Sequence, residues 1–216
     1  MNKKLEYAIF TNNNTGGKLV YYPVAKNANS SAKLFFTRHL KIEKNYYFIS
    51  DEVPEHKLSE EKYQNVNNKN NLVNFLPSYT PFKKIDVEER CCIVRDPIDR
   101  FLSAYKNRII YHKDLAFRDL TINEIIEKLE NNLYENRHFL PQSYWLGTNL
   151  KYFTIISQIK NMKPFIDGVN NFFQKNIKFP KIQTGGSYIN IVLNKDQIKK
   201  IKKIYSSDYE LVRDFL

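Results

Sequence analysis

The strongest constraint on the fold of this chain is a short apolar strand that passes directly into an amphipathic helix. The strand is predicted over Glu89–Val94, and Asp96-Pro97 stops it. The helix follows over Ile98–Tyr111, where apolar residues recur at helical spacing. Pro97 suits the first turn of this helix, and Asp96 suits its N-cap. A strand followed at once by a helix is the unit from which parallel sheets are built.

A second strand-to-helix junction lies near the N-terminus, with a strand predicted over Lys18–Val24 and a helix over Ser31–Lys41. The same patterns predict strands at Asn45–Ser50 and Tyr152–Ile156, and helices at Thr121–Asn131, Met162–Lys175 and Lys195–Tyr205. This alternation indicates a single α/β domain spanning residues 1–216, with a mostly parallel central sheet between helices. Ligands of such sheets bind at the carboxyl ends of the strands.

Composition and charge narrow the function classes. The 42% hydrophobic and 14% aromatic content excludes a disordered chain, and no apolar run is long enough to span a membrane. The formal charge of +11 favours an anionic partner, such as a nucleotide, a nucleic acid, an acidic glycan or a membrane surface. A compositional bias toward Lys, Asn and Ile is the alternative explanation of that charge.

The two cysteines, Cys91 and Cys92, are adjacent on the predicted strand. Neighbouring side chains on a strand point to opposite faces, so an ordinary disulfide between them is not expected. Two reduced, buried thiols predict a cytoplasmic protein.

The first candidate site is the polar loop between the Lys18–Val24 strand and its helix. Backbone N–H groups at the start of a helix, together with the helix dipole, attract anions. The candidate ligand-binding residues are Lys26, Asn27, Ala28, Asn29, Ser30 and Ser31. The loop has no glycine, so it is not a Walker loop. An ordinary capped helix with a surface lysine is the alternative.

The second candidate site follows the Glu89–Val94 strand. Arg95 stands at the end of the strand, and Ser103 lies two turns into the next helix. Arginine can hold a phosphate through two parallel N–H bonds. Alternatively, Arg100 pairs with Asp96 and only braces the start of the helix.

Together the two segments resemble the nucleotide-binding elements of sulfotransferases that use 3′-phosphoadenosine 5′-phosphosulfate (PAPS). The carbohydrate branch of that family, which includes heparan sulfate 2-O- and chondroitin 4-O-sulfotransferases, is the most similar. The stretch Lys26–Ser31 matches the 5′-phosphosulfate loop, except that Ala25 replaces the usual proline. The stretch Val94–Tyr105 matches the 3′-phosphate element almost completely. Asn136–Ser143 and Tyr205–Leu211 also look like family segments.

The resemblance implies a three-layer, P-loop-like sulfotransferase fold that moves a sulfuryl group from PAPS to a carbohydrate-type hydroxyl. It further implies that Lys26 stabilises the charge developing on the leaving oxygen, while Arg95 and Ser103 hold the 3′-phosphate. No metal is expected, since no dedicated carboxylate cluster is evident. The absence of a membrane anchor, a departure from the carbohydrate branch, favours a soluble bacterial or viral enzyme.

The general base that accepts the acceptor proton is predicted to be His138, because of the surrounding His-x-x-Pro-Gln segment. Other candidates are His39, His56, His112, Glu88, Glu89 and Asp51. The acceptor itself is left open, with Gln64–Asn71 and Asn131–Tyr144 as candidate walls of its site.

Three alternatives remain beside the sulfotransferase hypothesis. A kinase-like transferase is disfavoured by the missing glycine-lysine loop, and a nucleic-acid-binding module by aromatic residues at core-like positions. An inactive homologue that only binds the nucleotide is the third. The oligomeric state is open.

Overall fold

The computed structural model describes residues 5–12, 14–40, 71–77, 82–114, 117, 119–132, 136–181 and 189–216. The predicted strand Asn45–Ser50 lies outside these residues, as do His56 and Asp51. The candidate wall Gln64–Asn71 also lies outside them, apart from Asn71, which begins a strand.

The described strands form one five-stranded sheet in the order β3-β1-β2-β4-β5. Their bounds are β1 Leu5–Asn12, β2 Lys18–Tyr22, β3 Asn71–Pro77, β4 Glu89–Val94 and β5 Ile155–Gln158. Strands β2, β4 and β5 run parallel, whereas β1 is antiparallel to both β2 and β3. The predicted α/β class and parallel centre are confirmed, and an antiparallel pair extends one side. The carboxyl ends of β2, β4 and β5 therefore meet at one edge.

The helices surround this sheet and begin mostly where the sequence places caps. Their bounds are α1 Asn29–Leu40, α2 Pro97–Ala104, α3 Ile122–Glu130, α4 Gln142–Leu146, α5 Lys163–Phe173, α6 Lys195–Ile204 and α7 Ser206–Val212. The Asp96 carboxylate accepts from the Asp99 N–H, which confirms the cap of α2. The predicted capping box of Thr121 and Glu124 starts α3, and Asn194 caps α6.

The two faces of the sheet carry separate apolar clusters. Cys91 lies in one cluster with α1 and α5, whose contributions include Phe35 and Phe165. Cys92 lies in the other cluster, which includes Trp145 of α4. Helices on both faces give the predicted three layers. Both thiols are unpaired and fully buried, and burial raises their pKa well above the ordinary value.

Several predicted boundaries need correction. The strand predicted over Lys18–Val24 ends at Tyr22, where the chain turns into the loop before α1. The helix predicted over Ile98–Tyr111 becomes π-helical over Tyr105–Tyr111. The last strand begins at Ile155, because a 3₁₀ turn precedes it over Leu150–Tyr152. Among the described helices, none has the length and apolar character needed to cross a membrane.

Candidate functional site

The loop between β2 and α1 is held in a strained backbone conformation. Lys26 and Ala28 both have left-handed φ angles, 69° and 56°. Such a conformation in a residue other than glycine costs about 1–3 kcal/mol and persists only where the surroundings enforce it. The Ala32 N–H bonds to the Ala28 carbonyl at 2.9 Å as α1 begins. The predicted anion loop is thus a tight turn directly before a helix N-terminus.

The buried side chain of Asn27 bonds this turn to the sheet. The side chain is fully buried, and its Nδ2 donates to the Ile93 carbonyl at 2.8 Å and to Gln142 Oε1 at 2.6 Å. The Asn27 side chain therefore supports the loop, and its predicted contact with a nucleotide stays a prediction.

Two arginines of the second motif bind the carbonyl groups of the first. Arg95 Nη1 donates to the Lys26 carbonyl at 2.8 Å, and Arg100 Nε donates to the Ala25 carbonyl at 3.0 Å. Arg100 is only 1% exposed, and its guanidinium also donates to the His138 carbonyl at 3.2 Å. The sequence left open a pairing of Arg100 with Asp96, but these carbonyl groups are the partners of its guanidinium.

Arg95 keeps hydrogen-bonding capacity at the carboxyl edge of the sheet. Within the described part of the chain, its Nε is buried and has no hydrogen-bond partner. Burial lowers the pKa of the Arg95 guanidinium, and the nearby Asp99 carboxylate partly opposes this shift. A desolvated cation with an unsatisfied donor is suited to bind an anion.

The predicted hydroxyl donors lie in the two helices that begin at this edge. Ser30 and Ser31 lie in the first turn of α1, directly after the strained loop. Ser103 lies in α2, on the helix that follows Arg95. Since β2 and β4 are parallel neighbours, both motifs leave the sheet at the same edge.

His138 lies in the 3₁₀ turn Arg137–Phe139 and is half-buried. The Arg100 side chain bridges its carbonyl to that of Ala25. The turn that carries His138 is therefore tied to the loop that carries Lys26. Its Nδ1 lies 2.7 Å from Asn136 Oδ1.

The structure separates the other described base candidates from this edge. His39 is fully buried, with ring nitrogens 2.9 Å from the Phe35 carbonyl and 2.7 Å from Asn170 Oδ1. His112 is exposed after the π-helical segment. Glu88 and Glu89 lie at the opposite end of β4 from Arg95.

Sequence reasoning gave no role to two buried residues that organise the site, Gln142 and Asp208. The Gln142 side chain joins Asn27 to the backbone of Arg95. Asp208 of α7 accepts from the N–H groups of Gln142 and Ser143 at 2.7 and 2.8 Å. Both residues lie in segments that resemble the sulfotransferases, Asn136–Ser143 and Tyr205–Leu211. The available sequence signal for Gln142 and Asp208 was their position as polar residues within these two family-like segments.

Within the described residues, no group of three His, Cys, Asp or Glu side chains could hold a metal ion.

The chain matches a known protein family over most of its length. No curated protein and no solved structure matches the chain. The model of the sulfotransferase family matches residues 9–212, which include both loops, His138, Gln142 and Asp208. The chain therefore belongs to the sulfotransferase family, whose members are transferases of the sulfuryl group.

Proposed function

We propose that this sulfotransferase uses PAPS as its donor and a carbohydrate-type hydroxyl as its acceptor. The observation that carries the donor assignment is the joining of the two loops, in which Arg95 and Arg100 bind the carbonyls of Lys26 and Ala25. The same edge of the sheet then carries the two segments that we assign to two separate anions. PAPS carries two separate anionic groups, the 5′-phosphosulfate and the 3′-phosphate.

The loop before α1 is assigned to the 5′-phosphosulfate. Lys26 brings an ammonium group, and the start of α1 brings N–H groups and the Ser30 and Ser31 hydroxyls. During in-line transfer, negative charge develops on the oxygen that bridges sulfur to the 5′-phosphate. A cation and donors already held in place stabilise that charge without reorganisation. Asn27 and Ala28 complete the turn before α1, and Asn29 begins the helix.

The junction of β4 and α2 is assigned to the 3′-phosphate. The half-buried Arg95 guanidinium has an unsatisfied Nε, and Ser103 adds a hydroxyl from α2. ATP has no 3′-phosphate, so it cannot use this second site. The site therefore selects PAPS over ATP.

His138 is assigned as the general base that takes the proton of the acceptor hydroxyl. Its connection to the Lys26 loop through Arg100 supports this role. The carbohydrate acceptor rests on the resemblance to that branch of the family and on the net charge of +11, which suits an acidic glycan. A cytoplasmic location also belongs to the proposal and rests on the two unpaired, buried thiols.

Thermal unfolding with different nucleotides tests the donor assignment. Adenosine 3′,5′-bisphosphate at about 100 times its Kd contributes roughly 2.7 kcal/mol of stability. For a chain of this size, we expect Tm to rise by about 5–11 °C, with little shift for ATP or ADP. A larger shift with ATP would favour a kinase-like transferase. No shift with any nucleotide would contradict the PAPS site.

Turnover of PAPS tests the acceptor assignment. We expect release of adenosine 3′,5′-bisphosphate when PAPS is supplied with desulfated heparin or chondroitin. Turnover with a simple phenol and none with either polysaccharide would contradict a carbohydrate acceptor. Bisphosphate binding without any turnover would identify an inactive homologue.

A further inference from the structure

We propose that Asn136 and Asp114 are positioning residues that fix the tautomer of His138, so that Nε2 is the nitrogen that accepts the acceptor proton. The inference deepens the proposed function and rests on it for the chemical step. The tautomer itself is a property of the free protein and is tested without any substrate.

A chain of side-chain hydrogen bonds leads from the π-helical segment to His138. Arg108 holds the Asp114 carboxylate in a bidentate pair, with Nε and Nη2 each 2.7 Å from a carboxylate oxygen. Asn136 Nδ2 then donates to Asp114 Oδ2 at 2.9 Å. Asn136 Oδ1 in turn faces His138 Nδ1 at 2.7 Å and accepts from the His138 N–H at 2.9 Å.

The order of donors along this chain sets the orientation of the Asn136 amide. An ionised carboxylate can only accept hydrogen bonds, so the amide nitrogen must face Asp114. The amide oxygen must then face His138, and the backbone N–H of His138 independently requires an acceptor at that position. The Asp114 carboxylate and the His138 backbone N–H therefore require the same orientation of the Asn136 amide.

The amide orientation in turn sets the tautomer of the imidazole. Asn136 Oδ1 has no proton to give, so His138 Nδ1 must carry one to form the 2.7 Å bond. In a neutral imidazole the other nitrogen then holds the lone pair. A neutral His138 is thus held with a basic Nε2, which is the state that a general base needs. Once Nε2 takes a proton, the Asn136 oxygen still accepts from Nδ1 and stabilises the imidazolium.

With this assignment, every bond, proton and electron pair of the transfer step is accounted for. The acceptor oxygen forms a bond to sulfur and gives its proton to His138 Nε2. The bond from sulfur to the bridging oxygen breaks, and its electron pair stays on the 5′-phosphate of the leaving nucleotide. Lys26 lies on the loop that is joined to the His138 turn through Arg100, so the cation and the base serve the same reaction centre.

A matched asparagine elsewhere in the chain separates this role from simple capping. Asn136 and Asn149 both cap a 3₁₀ turn, and each Oδ1 accepts from the backbone N–H two residues later at 2.9 Å. Asn149 is exposed, and the residue two positions later is Lys151, which has no imidazole. Asn149→Ala therefore removes the same kind of bond to a backbone N–H without changing the surroundings of His138.

The experiment is nitrogen NMR of the imidazole in the free protein, at a pH where His138 is neutral. We expect a protonated Nδ1 and an unprotonated Nε2 in the parent and in Asn149→Ala. Asn136→Ala should shift the population toward a protonated Nε2. It should also lower kcat, by at most the roughly 10²–10⁴-fold that a general base contributes, while leaving the Kd for adenosine 3′,5′-bisphosphate unchanged.

The results that would contradict the proposal can be told apart. A protonated Nε2 in the parent would overturn the proposal, and this spectrum decides the matter even if Asn136→Ala fails to fold. Equal kinetic and spectral effects of Asn136→Ala and Asn149→Ala would reduce Asn136 to a cap. The expected tautomer in a chain without transferase activity would support the positioning role and overturn the proposed function.

Discussion

Gln142 satisfies both backbone groups of Arg95, although the two residues are far apart in sequence. Its Oε1 accepts from the Arg95 N–H at 3.0 Å, and its Nε2 donates to the Arg95 carbonyl at 2.8 Å. The same Oε1 also accepts from Asn27 at 2.6 Å. One buried amide therefore sets the spacing between the two loops of the candidate site.

Removing this amide should weaken the protein and the nucleotide site together. Gln142→Ala leaves both backbone groups of Arg95 and one N–H of Asn27 Nδ2 without a partner, and each unsatisfied buried group costs about 1–3 kcal/mol. We expect a lower free energy of unfolding in urea and a higher Kd for adenosine 3′,5′-bisphosphate. Gln158→Ala is the control, because the Gln158 side chain makes an exposed bond to the Lys160 N–H at the end of β5. Equal stability of the two variants would contradict the role of Gln142.

Lys26→Ala should abolish transfer and preserve the fold. Alanine keeps the backbone preferences of a non-glycine residue at this left-handed position, so the substitution removes the ammonium group and its stem without adding backbone strain. Lys18→Ala removes an exposed charge from the opposite end of the same strand and should keep full activity. Measured turnover of PAPS checks both variants. Activity in Lys26→Ala comparable to the parent would remove Lys26 from the site.

Arg95→Ala should weaken binding of the 3′-phosphate nucleotide by about 2–5 kcal/mol, because a desolvated charge contact is lost. Arg90 on the same strand is the matched control. It also donates to backbone carbonyls, including that of Tyr152 at 2.6 Å, but lies near the amino end of β4. Titration calorimetry with adenosine 3′,5′-bisphosphate distinguishes the two. If Arg90→Ala weakened binding as strongly, the effect would come from the strand and not from the site.

His138→Ala should lower kcat with little change in nucleotide affinity, since a base acts on the acceptor and not on the donor. Its backbone carbonyl, which binds Arg100, is retained in the variant. His112→Ala, at an exposed position, should have no effect on either quantity. A loss confined to nucleotide binding would move His138 out of the role of the base.

Because His39 is buried, we expect the free energy of unfolding to fall in mild acid. Burial lowers the pKa of His39 below its usual 6.5, and the nearby Lys175 adds to the shift. Between that lowered pKa and about pH 6.5, the unfolded chain binds a proton that the folded chain does not. The contribution of His39 is thus complete above pH 6.5 and declines as the pH falls through this interval.

Urea unfolding at a series of pH values measures this effect, and His39→Gln should flatten the dependence. The ring nitrogens face the Phe35 carbonyl and Asn170 Oδ1, both of which favour added protons. A rise in stability toward acid would show that these acceptors outweigh burial.

The sequence alone determined the features that depend on neighbouring residues. The caps at Asp96 and Asn194, the capping box at Thr121, and the strand Glu89–Val94 follow from side chains within a few positions of each other. The two loops were also identifiable, because their residue types and spacing resemble a known family. The assignment of one domain to residues 1–216 stays a prediction.

Only the tertiary structure decided which distant groups meet. The antiparallel pairing of β1 with β3 joins segments that are far apart in the sequence and leaves no local signal, whereas β1 and β2 are neighbours joined by a short turn. The bonds of Gln142 to Arg95, and of Arg100 to Ala25, join positions that are adjacent only once the sheet has formed. A buried polar group must find a partner wherever the fold provides one, so the identity of that partner is a property of the whole structure.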